Sequence, residues 1–174
     1  LMTILSVIIP AFNAARTISR TLKSLQDQTL EDWEAVVVDD GSMDMTYNIA
    51  RAFGERDDRI WAIRLGKNCG AAKAVNRALP WPVTRGKYLM VLAADDYLLE
   101  DFAEKCVAAL ERDQLAPGVY TDYIEWYEAD GIKKVHRCPD FDRKTLLTRD
   151  FVNFSALVFR FVALFDDSWT PVAD

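Results

Sequence analysis

The chain has 174 residues, 51% of them hydrophobic, enough for one globular domain to bury a core without disulfide or metal staples. Its net charge of -6, from 27 Asp and Glu against 21 Lys and Arg, argues against nucleic acid as the main partner. Any phosphate it binds must therefore be held locally.

Ile4 to Ile9 (I-L-S-V-I-I) predicts the first strand, closed by Pro10 and followed by a loop to Asn13. Ile18, Leu22 and Leu25 then recur at helical spacing between Ala14 and Gln28. Ala35 to Val38 predicts the second strand, which runs into Asp39, Asp40, Gly41, Ser42 and Asp44. Gly41 frees the backbone for a sharp turn, and Ser42 or Asp44 can cap the helix that Ile49, Ala52 and Phe53 imply. Arg59 to Leu65 alternates as a third strand, Gly66 to Gly70 is a loop, and Ala71 to Leu79 is a short helix stopped before Pro80.

Tyr88 to Leu92 is an unbroken apolar run, as in a strand buried on both faces, and it leads into Asp95 and Asp96. Leu98 to Leu110 predicts the next helix, with Phe102, Cys106, Val107 and Leu110 on one face. Val119 to Tyr127 and Ile132 to His136 predict an antiparallel hairpin about the turn Ala129, Asp130, Gly131. Asp140 to Asp150 is expected to be partly helical, Ala156 to Arg160 a strand, and Asp166 to Asp174 a terminal loop. The fold class is α/β, three layers about a mostly parallel central sheet with an antiparallel hairpin, in a single domain over residues 1–174.

Three polar strand ends, Pro10 to Asn13, Asp39 to Asp44 and Ala93 to Asp96, converge on one edge of such a sheet, where open α/β folds collect ligands. Asp95 and Asp96 there have two readings, as N-caps of the following helix or as carboxylates that hold a divalent cation. No G-x-G-x-x-G follows the first strand and no G-x-x-x-x-G-K-[ST] occurs, so a phosphate ligand would need a cation, Mg²⁺ or Mn²⁺. That combination proposes a nucleoside diphosphate bridged by metal.

Other chemistries are excluded. His136 is the sole histidine and reads as a surface residue on a strand, and no nucleophile elbow is present for a Ser-His-Asp or Cys-His machine. Cys69, Cys106 and Cys138 form no C-x-x-C pair, which points away from zinc and disulfides and toward a reducing compartment. No apolar run reaches the roughly 18 residues of a membrane span, and Leu1 to Ile9 does not read as a signal peptide. The expected location is cytoplasmic, with a peripheral place at the inner membrane face left open.

Four strings, S-V-I-I-P-A-F-N (Ser6 to Asn13), V-D-D-G-S-M-D (Val38 to Asp44), N-C-G (Asn68 to Gly70) and A-A-D-D (Ala93 to Asp96), together resemble glycosyltransferase family 2. These are nucleotide-sugar transferases with the GT-A fold. The resemblance implies that Pro10, Phe12, Asn13 and Asp40 cradle the nucleoside, Asp40 accepting a hydrogen bond from the base, for which a uracil N–H is suited. Asp39 would fix the turn or the ribose side. Asn68 and Gly70 match the loop that approaches the donor, and Lys73 one turn on is either a diphosphate contact or a solvated lysine. Ala93 stands where many members have the first carboxylate of Asp-x-Asp, leaving Asp95 and Asp96 to carry the metal.

Phe165, Asp166 and Asp167 resemble the family's Phe-Asp-Glu string, and Asp174 falls where the catalytic base is expected, with Ala173 in place of Glu; a surface acid is the other reading. The implied activity is sugar transfer from a nucleoside-diphosphate donor, UDP-sugar first, to a hydroxyl of a saccharide or lipid-linked acceptor, with inversion and a divalent cation. The alternatives are a nucleotide-sugar-binding module impaired in catalysis and a metal-dependent phosphohydrolase. The segment from Arg160 to Leu164 is short against the family pattern, so the domain is expected to be incomplete on its acceptor side.

Overall fold

A computed structural model describes residues 3–80, 84, 86–140 and 152–161. Leu5–Ala11 (β1), Trp33–Asp39 (β2), Ile60–Arg64 (β3) and Tyr88–Val91 (β4) are parallel neighbours in the order β3-β2-β1-β4. Leu157–Arg160 (β8) adds antiparallel to β4, and Gly118–Tyr120 (β5) adds antiparallel to β8 at the edge. Four α-helices, Ile18–Gln26 (α1), Thr46–Gly54 (α2), Ala71–Ala78 (α3) and Phe102–Arg112 (α4), connect or flank these strands among the described residues.

Alternation along the central strands builds the layers. Leu5, Val7, Ile9, Ala35, Val37 and Met90 face α1, α2 and α4, where Ile18, Leu22, Leu25, Ala50, Cys106 and Leu110 close the larger core. Ile8, Val36, Val38, Leu89 and Val91 face the other way onto Ala74 and Ala78 of α3. Both faces of β1, β2 and β4 are thus covered, which is why their sequences read as continuous apolar runs rather than as alternation.

Several elements differ from expectation. Pro10 does not end β1; it pairs with Val38 within the ladder, and the strand continues to Ala11. Its ring nitrogen faces the β4 side, where pairing has already stopped at Ile8 and Val91, so no ladder bond is lost. The helix expected from Leu98 starts at Phe102, since the Leu98 N–H is held by Ser24 of α1 and the Leu99 carbonyl by Gln28 just after α1. In α2 the fully buried positions are Thr46 and Ala50, with Ile49 and Phe53 packed partly buried against the core.

The run Val119 to Tyr127 is not one strand. It divides into β5, which joins the main sheet, and Tyr123–Tyr127 (β6), which pairs only with Ile132–His136 (β7) in a separate two-stranded sheet. Gly131, at φ 66°, supplies the left-handed residue of its turn. The expectations for residues 141–151 and for Asp166 to Asp174 lie outside the described residues, Asp140 itself having no regular structure.

Candidate donor site

The strand order puts the carboxyl ends of β2, β1 and β4 side by side, with Asp40 beyond one end and Asp95 beyond another. A cavity of about 720 Å³ opens there, lined by Pro10, Phe12 and Asn13 after β1 and by Ala93, Ala94 and Asp95 after β4. Phe12 is 48% exposed, a half-free aromatic ring at the rim. Arg16 and Thr17 from the turn ahead of α1 and Arg20 from α1 itself also line it, and from the junction of residues 68–73 only Ala71 reaches the lining.

The loop after β1 is shaped by side chains of the loop after β2. Ser42 Oγ accepts the Asn13 N–H (2.9 Å), Thr46 Oγ1 accepts the Ala14 N–H (2.7 Å) and Asp44 Oδ2 accepts the Ala15 N–H (3.0 Å). Asn13, at φ 51°, returns a bond by accepting the Met43 N–H at 2.9 Å. Ser42 therefore fastens one loop to another rather than capping α2. Asp44 does both, since its Oδ1 also accepts the Thr46 N–H at the start of that helix (3.0 Å).

Asp39 and Asp40 lie behind the cavity rather than in its wall, at 0% and 3% exposure. Asp39 Oδ1 accepts the Ser42 N–H (3.3 Å), and the Arg64 guanidinium lies 3.1 Å from Oδ2, in ion-pair range but off the line of a hydrogen bond. Asp40 accepts the Gly70 N–H (2.8 Å), the Cys69 N–H (2.9 Å) and the Cys69 thiol (3.1 Å). Burial would raise its pKa, but these donors, the Cys69 side chain foremost, outweigh it and hold the carboxyl below the usual range. A buried Asp40 is thus kept ionised and fixes the loop ahead of α3.

Gly41 has a second reason to be glycine beyond its φ of 74°: an added Cβ would stand 2.8 Å from the Lys67 carbonyl carbon. Asn68 and Lys73 are exposed, and Asn68 Oδ1 accepts the Gly70 N–H at 3.2 Å. Cys106 is buried and its thiol is pushed up to about 12, so it is a packing residue. His136 pairs with Glu125 (2.8 Å) and stacks on Tyr123 on the hairpin.

Asp95 and Asp96 do not cap α4, which begins at Phe102. Asp95 is exposed and lines this first cavity, whereas Asp96 lines a second cavity of about 630 Å³, which Asp95 also borders. No group of three or more His, Cys, Asp or Glu converges on a metal position among the described residues. An exposed carboxylate with room around it nevertheless fits a hard cation that keeps most of its coordination for water and phosphate oxygens. Asp174 lies outside the described residues.

Residues that carried no motif hold this strand end in place. Thr21 Oγ1 lies 2.9 Å from the Ala94 carbonyl oxygen and 2.7 Å from that of Asp96, sharing one proton between them. Ser24 Oγ accepts the Leu98 N–H (3.1 Å), and Gln28 bonds both Leu99 and Ala103. Their signal in the sequence was only a polar row, Thr21, Ser24 and Gln28, at spacings of three and four residues beside the apolar stripe of α1.

A mostly parallel sheet with a carboxylate-tipped ligand crevice and a small antiparallel sheet is the GT-A type of nucleotide-sugar transferase fold. The chain belongs to glycosyl transferase family 2, whose sequence model matches residues 6–164. It is 33% identical over 147 residues to the chondroitin synthase of Pasteurella multocida, covering 83% of this chain and 15% of that protein. Among solved structures it resembles S. aureus TarS 1-349 in complex with UDP, with a TM-score of 0.75 and 22% identity over 97% of this chain and 50% of that one. The mannosyltransferase PcManGT from Pyrobaculum calidifontis, in complex with GDP-Man and Mn²⁺, gives 0.70 and 20% over 96% of this chain and 47% of that one. The chain thus spans half or less of each of these proteins. No helix among the described residues is long and apolar enough to cross a membrane.

Proposed function

We propose that this domain transfers a sugar from a nucleoside-diphosphate donor, a UDP-sugar first, to a hydroxyl of a saccharide or lipid-linked acceptor with inversion. The observation that carries the reading is the single cavity in which Phe12 and Asn13 of one strand end meet Asp95 of the next. An aromatic ring beside a loop of fixed shape suits a flat base, and a carboxylate elsewhere in the same cavity suits the counter-ion of a diphosphate. The family membership and the UDP and GDP-Man complexes of proteins with this fold support the same assignment.

In this reading Phe12 offers a stacking face while Pro10 and Asn13 shape the pocket floor. Asp40 acts from behind the wall, by holding the Cys69–Gly70 backbone, and reaches the base only if that loop yields its donors. Asn68, Gly70 and Lys73 stand outside the cavity lining and would meet the donor only as this loop and the start of α3 close on it, with Asp39 locking the preceding turn. Asp95 would hold a Mg²⁺ or Mn²⁺ ion, with Asp96 beside it, and the ion when bound would supply Lewis-acid stabilisation of the departing diphosphate. The second cavity, which shares Asp95 with the first, is the approach for the acceptor, and Asp174 is the proposed base that takes its proton.

The test is a panel of UDP-, GDP- and dTDP-sugars incubated with the domain and Mg²⁺ or Mn²⁺, reading nucleoside diphosphate and inorganic phosphate separately. Release of the nucleoside diphosphate, abolished by a chelator, is expected. Inorganic phosphate as the product would replace this reading with the phosphohydrolase, and donor binding without turnover would replace it with the binding module.

A further inference from the structure

Arg20 stands where the two cavities meet, lining both together with Asp95 and Glu128. Its guanidinium pairs with Glu128, just beyond β6, and reaches the Asp95 carbonyl oxygen at 3.4 Å. The same group lies 4.9 Å from the Tyr97 ring centroid and 5.5 Å from that of Trp126, so it joins the strand end of β4 to the hairpin. Yet Arg20 Nε is buried without a hydrogen-bond partner. A guanidinium with a donor to spare, beside a cavity suited to a diphosphate, is an incompletely used anion ligand.

Building on the donor-site reading above, we propose that Arg20 exchanges counter-ions: it holds Glu128 while the donor cavity is empty and turns onto the donor's diphosphate when the cavity fills. The Glu128 side chain is 60% exposed, so the existing pair is screened by solvent and cheap to break. A diphosphate carries more charge than one carboxylate and presents oxygens in the geometry a guanidinium fork grips with two bonds. Exchange also severs the tie between α1 and the hairpin. Trp126, two residues before Glu128, lines the second cavity, so its freedom, and with it the mouth of that cavity, depends on donor occupancy.

The proposal separates from a purely structural role because it makes Glu128 a competitor of the ligand. Calorimetric titration with UDP and with GDP, in Mg²⁺, would compare the unmodified chain with Glu128→Gln, Arg20→Gln and the double variant. Glu128→Gln should bind the favoured nucleotide about threefold to tenfold more tightly, because Arg20 no longer has to leave a partner. Arg20→Gln should weaken binding about tenfold or more, and the double variant should match Arg20→Gln. Unchanged or weaker binding by Glu128→Gln, an exposed site with little risk to folding, would overturn the exchange even if Arg20→Gln proved unstable. Binding of neither UDP nor GDP to the unmodified chain would instead overturn the donor-site reading, and this proposal with it.

Discussion

Gln28 supplies the acceptor that opens α4: its Oε1 takes the Ala103 N–H at 2.9 Å, from a position just past the end of α1 and 75 residues earlier in the chain. The other end of the same amide donates to the Leu99 carbonyl oxygen (2.7 Å) and the Ser24 carbonyl oxygen (3.0 Å), and the side chain is buried. Asp101, the residue at the N-cap position, makes no capping bond of its own. One buried amide therefore sets where α4 starts and how the segment carrying Asp95 and Asp96 returns to the core.

Replacement of Gln28 by Ala should destabilise the domain by roughly 1–3 kcal/mol, because the buried Ala103 N–H and the part-buried Leu99 carbonyl lose their partner. Urea unfolding measures the loss, and hydrogen exchange should show faster opening at Ala103 than in α3.

Gly41→Ala should be costly for two separable reasons, the left-handed backbone and the collision with Lys67. The first is worth roughly 1–2 kcal/mol, and the second forces the Lys67–Gly70 loop outward. Asp40 would lose its donors as that loop moves. The expected outcome is a lower melting temperature together with weaker nucleotide binding, whereas a purely conformational penalty would lower the melting temperature alone.

Asp57 supports a pH-dependent contribution far from the cavity. Arg59 grips it through Nε (3.0 Å) and Nη2 (2.9 Å), Gln26 adds a bond at 3.0 Å, and Arg59 itself lies over the Trp33 ring. The Arg59 hydrogen bonds, partly opposed by burial, lower the Asp57 pKa from 3.8 to about 2. A carboxyl depressed in the folded state stabilises it above the unfolded value and loses that contribution as pH falls through the folded one. Asp57→Asn should thus cost about 1–2 kcal/mol at neutral pH after solvent screening. The urea midpoints of the two proteins should converge between about pH 4 and pH 2.

Asp95 and Asp96 should not be equivalent. Asp95→Asn should lower transfer about a hundredfold or more while leaving nucleotide affinity in the presence of a chelator unchanged. Asp96→Asn, facing only the second cavity, should act more weakly on donor binding in Mg²⁺. Equal losses from the two variants would mean that both carboxylates share the cation.

The central strands and their order of use were legible because burial on both faces leaves unbroken apolar runs, as in Tyr88–Val91, and because turns after such strands need residues like Gly41. The start of α4 was not, since hydrophobic spacing places Leu98 on its stripe while the hydrogen bonds that exclude Leu98 come from Ser24 and Gln28, some 70 residues earlier in the chain. Hairpin separation was hidden for a similar reason: β5 and β6 lie two residues apart, and what separates them is the partner each takes, β8 for one and β7 for the other. Within the site, Asp40 was visible as an acid at a strand end, but its engagement with Cys69 and Gly70 depends on a loop folding back across the sheet. Arg20 was hidden by position, as a charged residue on a helix ordinarily meets only solvent.

The three bonds from Ser42, Thr46 and Asp44 to the consecutive backbone amides of Asn13, Ala14 and Ala15 make the two loops a single transplantable part. An engineer who moved only the Pro10–Ala15 segment onto a related scaffold, to alter nucleotide preference, would strand three amide donors without acceptors. Moving Ser42–Thr46 with it keeps each amide matched to its own side chain, so a chimera that exchanges both segments should fold where either single exchange falters.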